Sequence, residues 1–220
     1  MSDEQKAAAG SRAAELVRPG MLVGLGSGTT VHYFLEALRE VDFVGVPTSE
    51  ETARVARSRG VAITTDPDRE LDLAVDGADE IDAGLNLIKG RGGALLREKL
   101  VALIAKRFVI IADESKLVPR LGAGVLPVEV VPFMWRQTAR RLQGLAATWE
   151  LRGGESKPYV TDNGNLILDL TIPGGIAEPE KYARVLKEVP GVCEHGLFIG
   201  MATGVIIGGS RGVRELGSVH

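Results

Sequence analysis

Compact apolar runs alternate along this chain with stretches in which apolar residues recur every three to four positions. Met21–Leu25, Phe43–Val46, Val61–Thr64, Leu71–Val75 and Phe108–Ala112 are bounded by Gly, Pro or charged residues, and each predicts a short buried strand. Between them the period lengthens. An alanine-rich segment reaching about Arg18 and stopped by Pro19-Gly20 predicts a helix. Val31, Phe34, Leu35 and Leu38 lie at helical spacing, the polar segment Glu50–Arg59 ends at Gly60, and Ala94–Ala105 is strongly helical. Strand and helix in repeated alternation predict a mainly parallel sheet covered on both faces.

The pattern changes near Pro127. Val128–Val131 predicts a strand, Met134–Leu142 a helix and Ala147–Leu151 a strand; Asn163-Gly164 is a hairpin signal before the strand Leu166–Thr171. Glu178–Glu188 is helical and Val192–Ile199 returns to strand. This β-α-β-β-α-β order suggests a ferredoxin-like unit, after which Val205–Ile207 supplies a last strand for the first sheet. The expected fold class is α/β. A Rossmann-like, mainly parallel sheet domain spans 1–125 plus 200–220, and a smaller ferredoxin-like α+β domain, 126–199, is inserted near the C-terminal end.

Composition narrows the function. The 220 residues are 45% hydrophobic, enough for a sizeable core, and the net charge of −3 provides no broad basic field, so nucleic acid is not an expected partner. The single cysteine, Cys193, cannot form an internal disulfide and has no metal-ligand spacing around it. The N-terminus lacks the apolar core of a signal peptide, and no stretch approaches the roughly 18 apolar residues of a membrane span. A soluble cytoplasmic protein is expected.

Three segments could carry chemistry. Gly24-Leu-Gly-Ser-Gly-Thr-Thr30 joins the first strand to a helix, where backbone N–H groups, the helix dipole and three hydroxyls favour an anion such as phosphate. It is neither a dinucleotide fingerprint, which would need glycine at Thr29, nor a Walker loop. Asp76-Gly-Ala-Asp-Glu-Ile-Asp82 starts at the carboxyl end of a strand, where open α/β sheets place ligands. Spacing alone leaves open whether it binds sugar hydroxyls, is a solvated acidic loop or takes a divalent metal. In Lys89-Gly-Arg-Gly-Gly93, the lysine precedes a glycine run that opens a helix and can neutralise a phosphate or developing oxyanion. On that helix Ala94, Glu98, Val101, Ala102 and Ala105 share one face, opposite Leu96, Leu100, Leu103 and Ile104, so the helix is apolar nearly all round and burial is expected. Partial desolvation would raise the Glu98 pKa and suit it to act as a base; an ordinary Arg-Glu-Lys surface patch is the other reading. Lys116 lies at a further carboxyl strand end and is equally a candidate anchor or a surface lysine.

Taken in order, Val23–Thr30, Thr48-Ser49, Asp76–Glu80, Lys89–Gly93, Arg97-Glu98-Lys99, Ala112–Lys116 and Leu126–Glu129 resemble type A ribose-5-phosphate isomerase along nearly the whole chain. The resemblance implies interconversion of ribose 5-phosphate and ribulose 5-phosphate in the non-oxidative pentose phosphate pathway. It implies Glu98 as the catalytic base, with Asp76, Asp79 and Lys89 also catalytic. It assigns substrate binding to Ser27, Gly28, Thr29 and Thr30, to Asp76, Gly77, Ala78 and Asp79, to Lys89, Gly90, Arg91 and Gly92, to Lys116, and to Lys6 near the phosphate. It implies no metal, no nucleotide cofactor and a homodimer or homotetramer, with a small sugar phosphate as partner. The rival from another class is a non-catalytic sugar-phosphate sensor domain. Such domains carry a helix-turn-helix ahead of the sheet, and here only about 20 residues precede the first strand.

Overall fold

A computed structural model of the protein describes residues 3–38, 41–145 and 148–220. Ala147, the expected start of one strand, lies outside the described residues. In chain order the elements are α1 (Asp3–Ala14), β1 (Leu22–Leu25), α2 (Thr29–Ala37), β2 (Val44–Pro47), α3 (Glu50–Ser58), β3 (Ala62–Ile63), β4 (Leu73–Asp76), β5 (Glu80–Ile81) and β6 (Leu87–Ile88). They continue with α4 (Leu95–Leu103), β7 (Phe108–Asp113), a 3-10 turn at Glu114–Lys116, β8 (Leu126–Val130), α5 (Trp135–Gln143), β9 (Thr148–Leu151) and β10 (Leu166–Thr171). The last are α6 (Pro179–Lys187), β11 (Val192–His195), β12 (Leu197–Phe198), β13 (Gly204–Gly209) and β14 (Gly212–Gly217).

The chain forms two compact units. Met1–Ala78, Arg97–Lys116 and Gly200–His220 make the first; Asp79–Leu96 and Leu117–Ile199 make the second. Residues 79–96 and 117–125, placed with the first domain in the sequence reading, group with the second unit.

In the first unit one sheet runs in the order β14-β13-β7-β4-β1-β2-β3, parallel throughout except for β14, which pairs antiparallel with β13. β1, β4 and β7 are buried along their whole length, which is why they read as unbroken apolar runs. Ala9 and Ala13 of α1 and Val31, Phe34 and Leu35 of α2 share a core with Val23, Leu25, Leu73, Val75, Val109, Ile111 and Ile206. A fully buried side chain such as Phe34 contributes about 1.5–3 kcal/mol. Ser49 caps α3 by accepting the Thr52 N–H at 3.1 Å, and Glu50 and Glu51 complement the positive end of that helix.

Asp72 joins the start of β1 to the approach to β4. Its carboxylate accepts the Leu22 N–H at 3.0 Å, Arg69 at 2.9 Å and Lys106 at 3.2 Å. The Leu22 N–H leads the effects that hold its pKa down at about 2, with Arg69 and Lys106 adding to it against the opposing effect of burial. A depressed carboxylate pKa stabilises the fold above the unfolded value of about 3.9 and loses that contribution as pH falls through the folded value. Asp72→Asn is therefore expected to lower the melting temperature at neutral pH, and the gap from the parent should close between about pH 4 and 2. Thermal melts across that range check it.

In the second unit β11-β8-β10-β9 form an antiparallel sheet in ferredoxin-like order. Leu126, Val128, Val130, Leu166, Leu168 and Leu170 point to one face and share a core with Ala139 and Leu142 of α5 and Leu186 of α6. Residues of the alternate set, among them Glu129 and Asp169, belong to the other face. The Asn163-Gly164 turn forms as expected, with Gly164 at φ +77° and its N–H bonded to Thr161 O at 2.9 Å. A second, three-stranded antiparallel sheet runs β12-β6-β5.

Two expectations are corrected and one open reading, the solvated acidic loop, is closed. Val192–Ile199 is not one strand: it divides at Gly196 into β11 and β12, which enter different sheets, and an added Cβ at Gly196 would lie 2.2 Å from Lys89 O. The acidic segment after Asp76 is not all loop, because Glu80-Ile81 pairs with Leu87-Ile88. And α4 is not buried all round. Glu98, Lys99, Val101 and Ala102 are buried, whereas Leu100 and Leu103 are 56% and 65% exposed. Among the described residues no helix is long and apolar enough to cross a membrane.

Candidate active site

The candidate residues divide between the two units. In the first, β1 ends in the turn 24–30 and β4 ends at Asp76, its parallel neighbour. Asp76 is buried, and its Oδ1 accepts the N–H of Ser27 at 3.1 Å and of Gly77 at 2.7 Å. Those two peptide donors fix the orientation of the carboxylate. An added Cβ at Gly26 would lie 2.1 Å from Asp76 Oδ1, so only glycine lets the turn pass this close. Gly26→Ala is accordingly expected to displace Asp76 and to speed amide exchange at Ser27 and Gly77, which lose their shared acceptor, while the far-ultraviolet circular dichroism spectrum stays that of the parent.

Gly28, at φ +99°, starts α2; Gly28 and Thr29 are exposed, and Thr30 is half-buried. Ser27 differs from its neighbours. Its hydroxyl donates to Ser49 Oγ at 2.9 Å and lies 2.8 Å from Thr48 Oγ1, while Thr52 donates to Gly26 O at 2.8 Å. The serine side chain thus ties the turn to the start of α3. Of the three hydroxyls expected to face an anion, those of Thr29 and Thr30 remain on α2. Thr52 was not singled out from the sequence; its place beside Ser49 as a capping partner was the available signal.

Glu98 lies on α4 and is 4% exposed, on the same buried side as Val101 and Ala102. Arg97 turns to Glu50 of α3 at 2.9 Å. Lys116 closes the 3-10 turn after β7 and is half-buried. Lys6 lies on α1, which packs on β13 and β7, and its ammonium is 3.6 Å from Asp3.

In the second unit Asp79 and the segment 89–93 come together. Asp79 Oδ2 accepts the Arg91 N–H at 2.9 Å, and the Asp79 N–H donates to Ile88 O at 2.8 Å. Gly77 and Ala78, just before it, are half-buried. Lys89 is 2% exposed; its N–H donates to Gly196 O at 2.9 Å, and Nζ stands 5.4 Å from the centre of the Phe198 ring, within cation–π range. Gly90 is buried, Arg91 half-buried and Gly92 exposed.

Glu80 is a buried carboxylate that sequence reasoning left without a role. Its oxygens accept the N–H groups of Gly122 at 2.7 Å, Ala123 at 3.2 Å and Gly124 at 2.6 Å, and the Arg91 guanidinium at 2.7 Å. It therefore holds Arg91 and organises the 122–124 turn, the latter through contacts across more than 40 residues that no local pattern encodes.

A family model described as ribose 5-phosphate isomerase A (phosphoriboisomerase A) matches residues 44–212. The chain belongs to the ribose-5-phosphate isomerase A family. The family comprises aldose–ketose isomerases that interconvert ribose 5-phosphate and ribulose 5-phosphate. The chain is 51% identical over 225 residues to a ribose-5-phosphate isomerase A of Synechococcus sp., covering 98% of this chain and 97% of that protein. Among solved structures it is similar to ribose 5-phosphate isomerase A of Methanocaldococcus jannaschii, with a TM-score of 0.93 and 35% identity over 99% of this chain and 100% of that one. It is also similar to a D-ribose-5-phosphate isomerase in complex with phospho-erythronic acid, with a TM-score of 0.94 and 39% identity over 99% and 100% of the two chains. The family resemblance read from the motifs and the expected fold class are borne out, and the sensor alternative finds no support.

Proposed function

We propose that this chain isomerises ribose 5-phosphate to ribulose 5-phosphate with Glu98 as the single base. The observation that carries this reading is the burial of Glu98 on α4, in a chain whose family performs this proton transfer. Aldose and ketose differ in the place of one carbon-bound proton and one hydroxyl proton. Glu98 takes the C2 proton of the open-chain aldose, leaving a 1,2-enediolate with its charge on O1; the O2 hydroxyl proton passes to O1, and Glu98 returns the carbon-bound proton to C1, which leaves the carbonyl at C2. A carboxylate away from bulk water is a stronger base and retains the proton between the two steps.

Lys89, with the N–H groups of its loop, stabilises the enediolate oxygen; fixed donors and cations act most strongly where water is excluded. Asp76, oriented by the Ser27 and Gly77 amides, moves a hydroxyl proton during ring opening. Asp79 accepts sugar hydroxyls and keeps the Arg91 peptide in place beside Lys89. Gly28, Thr29 and Thr30 at the start of α2, with Lys116 and Lys6, anchor the charged oxygens of the substrate, and Ser27 shapes that turn. Gly77, Ala78, Gly90, Arg91 and Gly92 supply the backbone that borders the sugar. A phosphorylated sugar acid such as phospho-erythronic acid presents a planar, anionic carboxylate that mimics the planar, anionic enediolate, and it should compete with ribose 5-phosphate here. We further propose a cytoplasmic homodimer or homotetramer.

The direct assay is ribulose 5-phosphate formation from ribose 5-phosphate with chelator present and no added cofactor. Turnover under those conditions is expected; none at any enzyme concentration would contradict the reading.

A further inference from the structure

We propose that Arg152 is a positioning residue for this reaction, holding the peptide groups of the Lys89–Gly93 loop and through them the enediolate-stabilising donors. The inference rests on the role assigned above to Lys89 and its loop. All of the contacts lie within the second unit.

Arg152 follows β9 and continues its pairing, with its N–H on Ile167 O at 3.0 Å. Asp169 lies two residues further along β10, on the same face and diagonal to Arg152. Nε and Nη2 of Arg152 donate to the two Asp169 oxygens at 2.9 and 2.5 Å, and both side chains are mostly buried. A guanidinium clamped on one edge by a carboxylate has its remaining nitrogen aimed in a fixed direction. That nitrogen, Nη1, donates to Gly90 O at 3.2 Å and Arg91 O at 3.0 Å. Lysine could not supply this fork, because one ammonium on a flexible stem cannot hold two carbonyls and a bidentate carboxylate in a plane.

Tyr159 completes the support. Its ring centre is 5.8 Å from the Arg152 guanidinium carbon, and its Oη is 3.5 Å from Gly92 O. It also fills the space beside Gly93, where an added Cβ would lie 2.2 Å from Oη; Gly93 is at φ +91° as well. Burial, and after it the Asp162 charge, push the Tyr159 phenol above its usual range, so it keeps its proton.

The peptide plane explains the consequence. Gly90 O and Arg91 N–H share one trans peptide, and Arg91 O and Gly92 N–H share the next, with each O and N–H on opposite edges. By holding both carbonyls, Arg152 fixes where both N–H groups point: Arg91 N–H towards Asp79, and that of exposed Gly92 away from Arg152. With the Arg91 side chain on Glu80, the loop is held at every polar group of Arg91 that carries an internal bond. Donors act on a transition state only when they are already in place, and a displacement of about 1 Å can cost a hundredfold in rate.

The test uses Arg152→Met, which removes the fork and keeps an unbranched side chain of similar reach. Its kcat should fall by about ten- to a hundredfold with KM nearly unchanged, and amide exchange in residues 89–93 should accelerate while that of β10 does not. Arg152→Lys should recover little. Wild-type kcat, a loss confined to KM, or unchanged exchange in the loop would overturn the proposal. Asp169→Asn, which keeps shape and loosens the clamp, carries the same test with the same readings if Arg152→Met does not fold. Lys89→Met in the same assays separates the two claims. An active Lys89→Met refutes the role of Lys89 on which this inference rests; an inactive one beside a fully active Arg152→Met refutes only the positioning.

Discussion

Replacing Glu98 by glutamine is expected to lower turnover by at least about a hundredfold while substrate binding persists. The amide keeps the size of the carboxylate and fits the same buried side of α4 beside Val101 and Ala102. It cannot take a proton from carbon. Burial also keeps bulk water from substituting as the base, so the loss should appear in kcat. Glu98→Asp should fall between the two, since it keeps the carboxylate and shortens its reach by one methylene. Steady-state kinetics with ribose 5-phosphate, set beside thermal melts of each variant, check both expectations.

Lys89→Met should be the second large effect, a loss of about a hundred- to a thousandfold in kcat. Methionine is unbranched and fills a similar volume, so the packing against Phe198 can persist. What disappears is the positive charge. In water an ammonium near an oxyanion is worth little. At a position only 2% exposed it acts through a lower effective dielectric, and the same charge is worth several times more. Thermal melts of Lys89→Met, run beside the kinetics, report whether the fold is kept. A large fall in kcat with undiminished stability distinguishes chemistry from support of the fold.

The parallel sheet was legible because its central strands are buried on both faces and leave no polar residue to interrupt the run. Val23–Leu25, Leu73–Val75 and Phe108–Ala112 all follow this rule. The candidate motifs were legible for a related reason: strand ends and helix starts are local features, and Asp76, Ser27–Thr30 and Lys89 all sit at them. The faces of α4 were misread because its composition is apolar on two sides, and periodicity cannot say which side the rest of the chain covers. Glu98 lies on the covered side; Leu100 and Leu103 do not.

Two-residue strands such as β5 and β6 are too short to show a period. They hide in an acidic stretch whose turn is built by Asp82, which accepts the N–H groups of Gly84 at 2.8 Å and Asn86 at 2.9 Å. Glu80 and Arg152 were illegible for a different reason. Each acts on backbone groups 40 or more residues away, and such a contact exists only once both segments have folded. Candidate site residues announce themselves by residue type and local motif, whereas side chains that bind distant backbone do not.

Ribose 5-phosphate labelled with deuterium at C2 puts the central claim to its most direct test. The parent chain should remove the label from C2 as product forms, delivering it to C1 or to solvent, and folded Glu98→Gln should keep it at C2 over the same period. Loss of the label at the parental rate in that variant would contradict the assignment of Glu98 as the base.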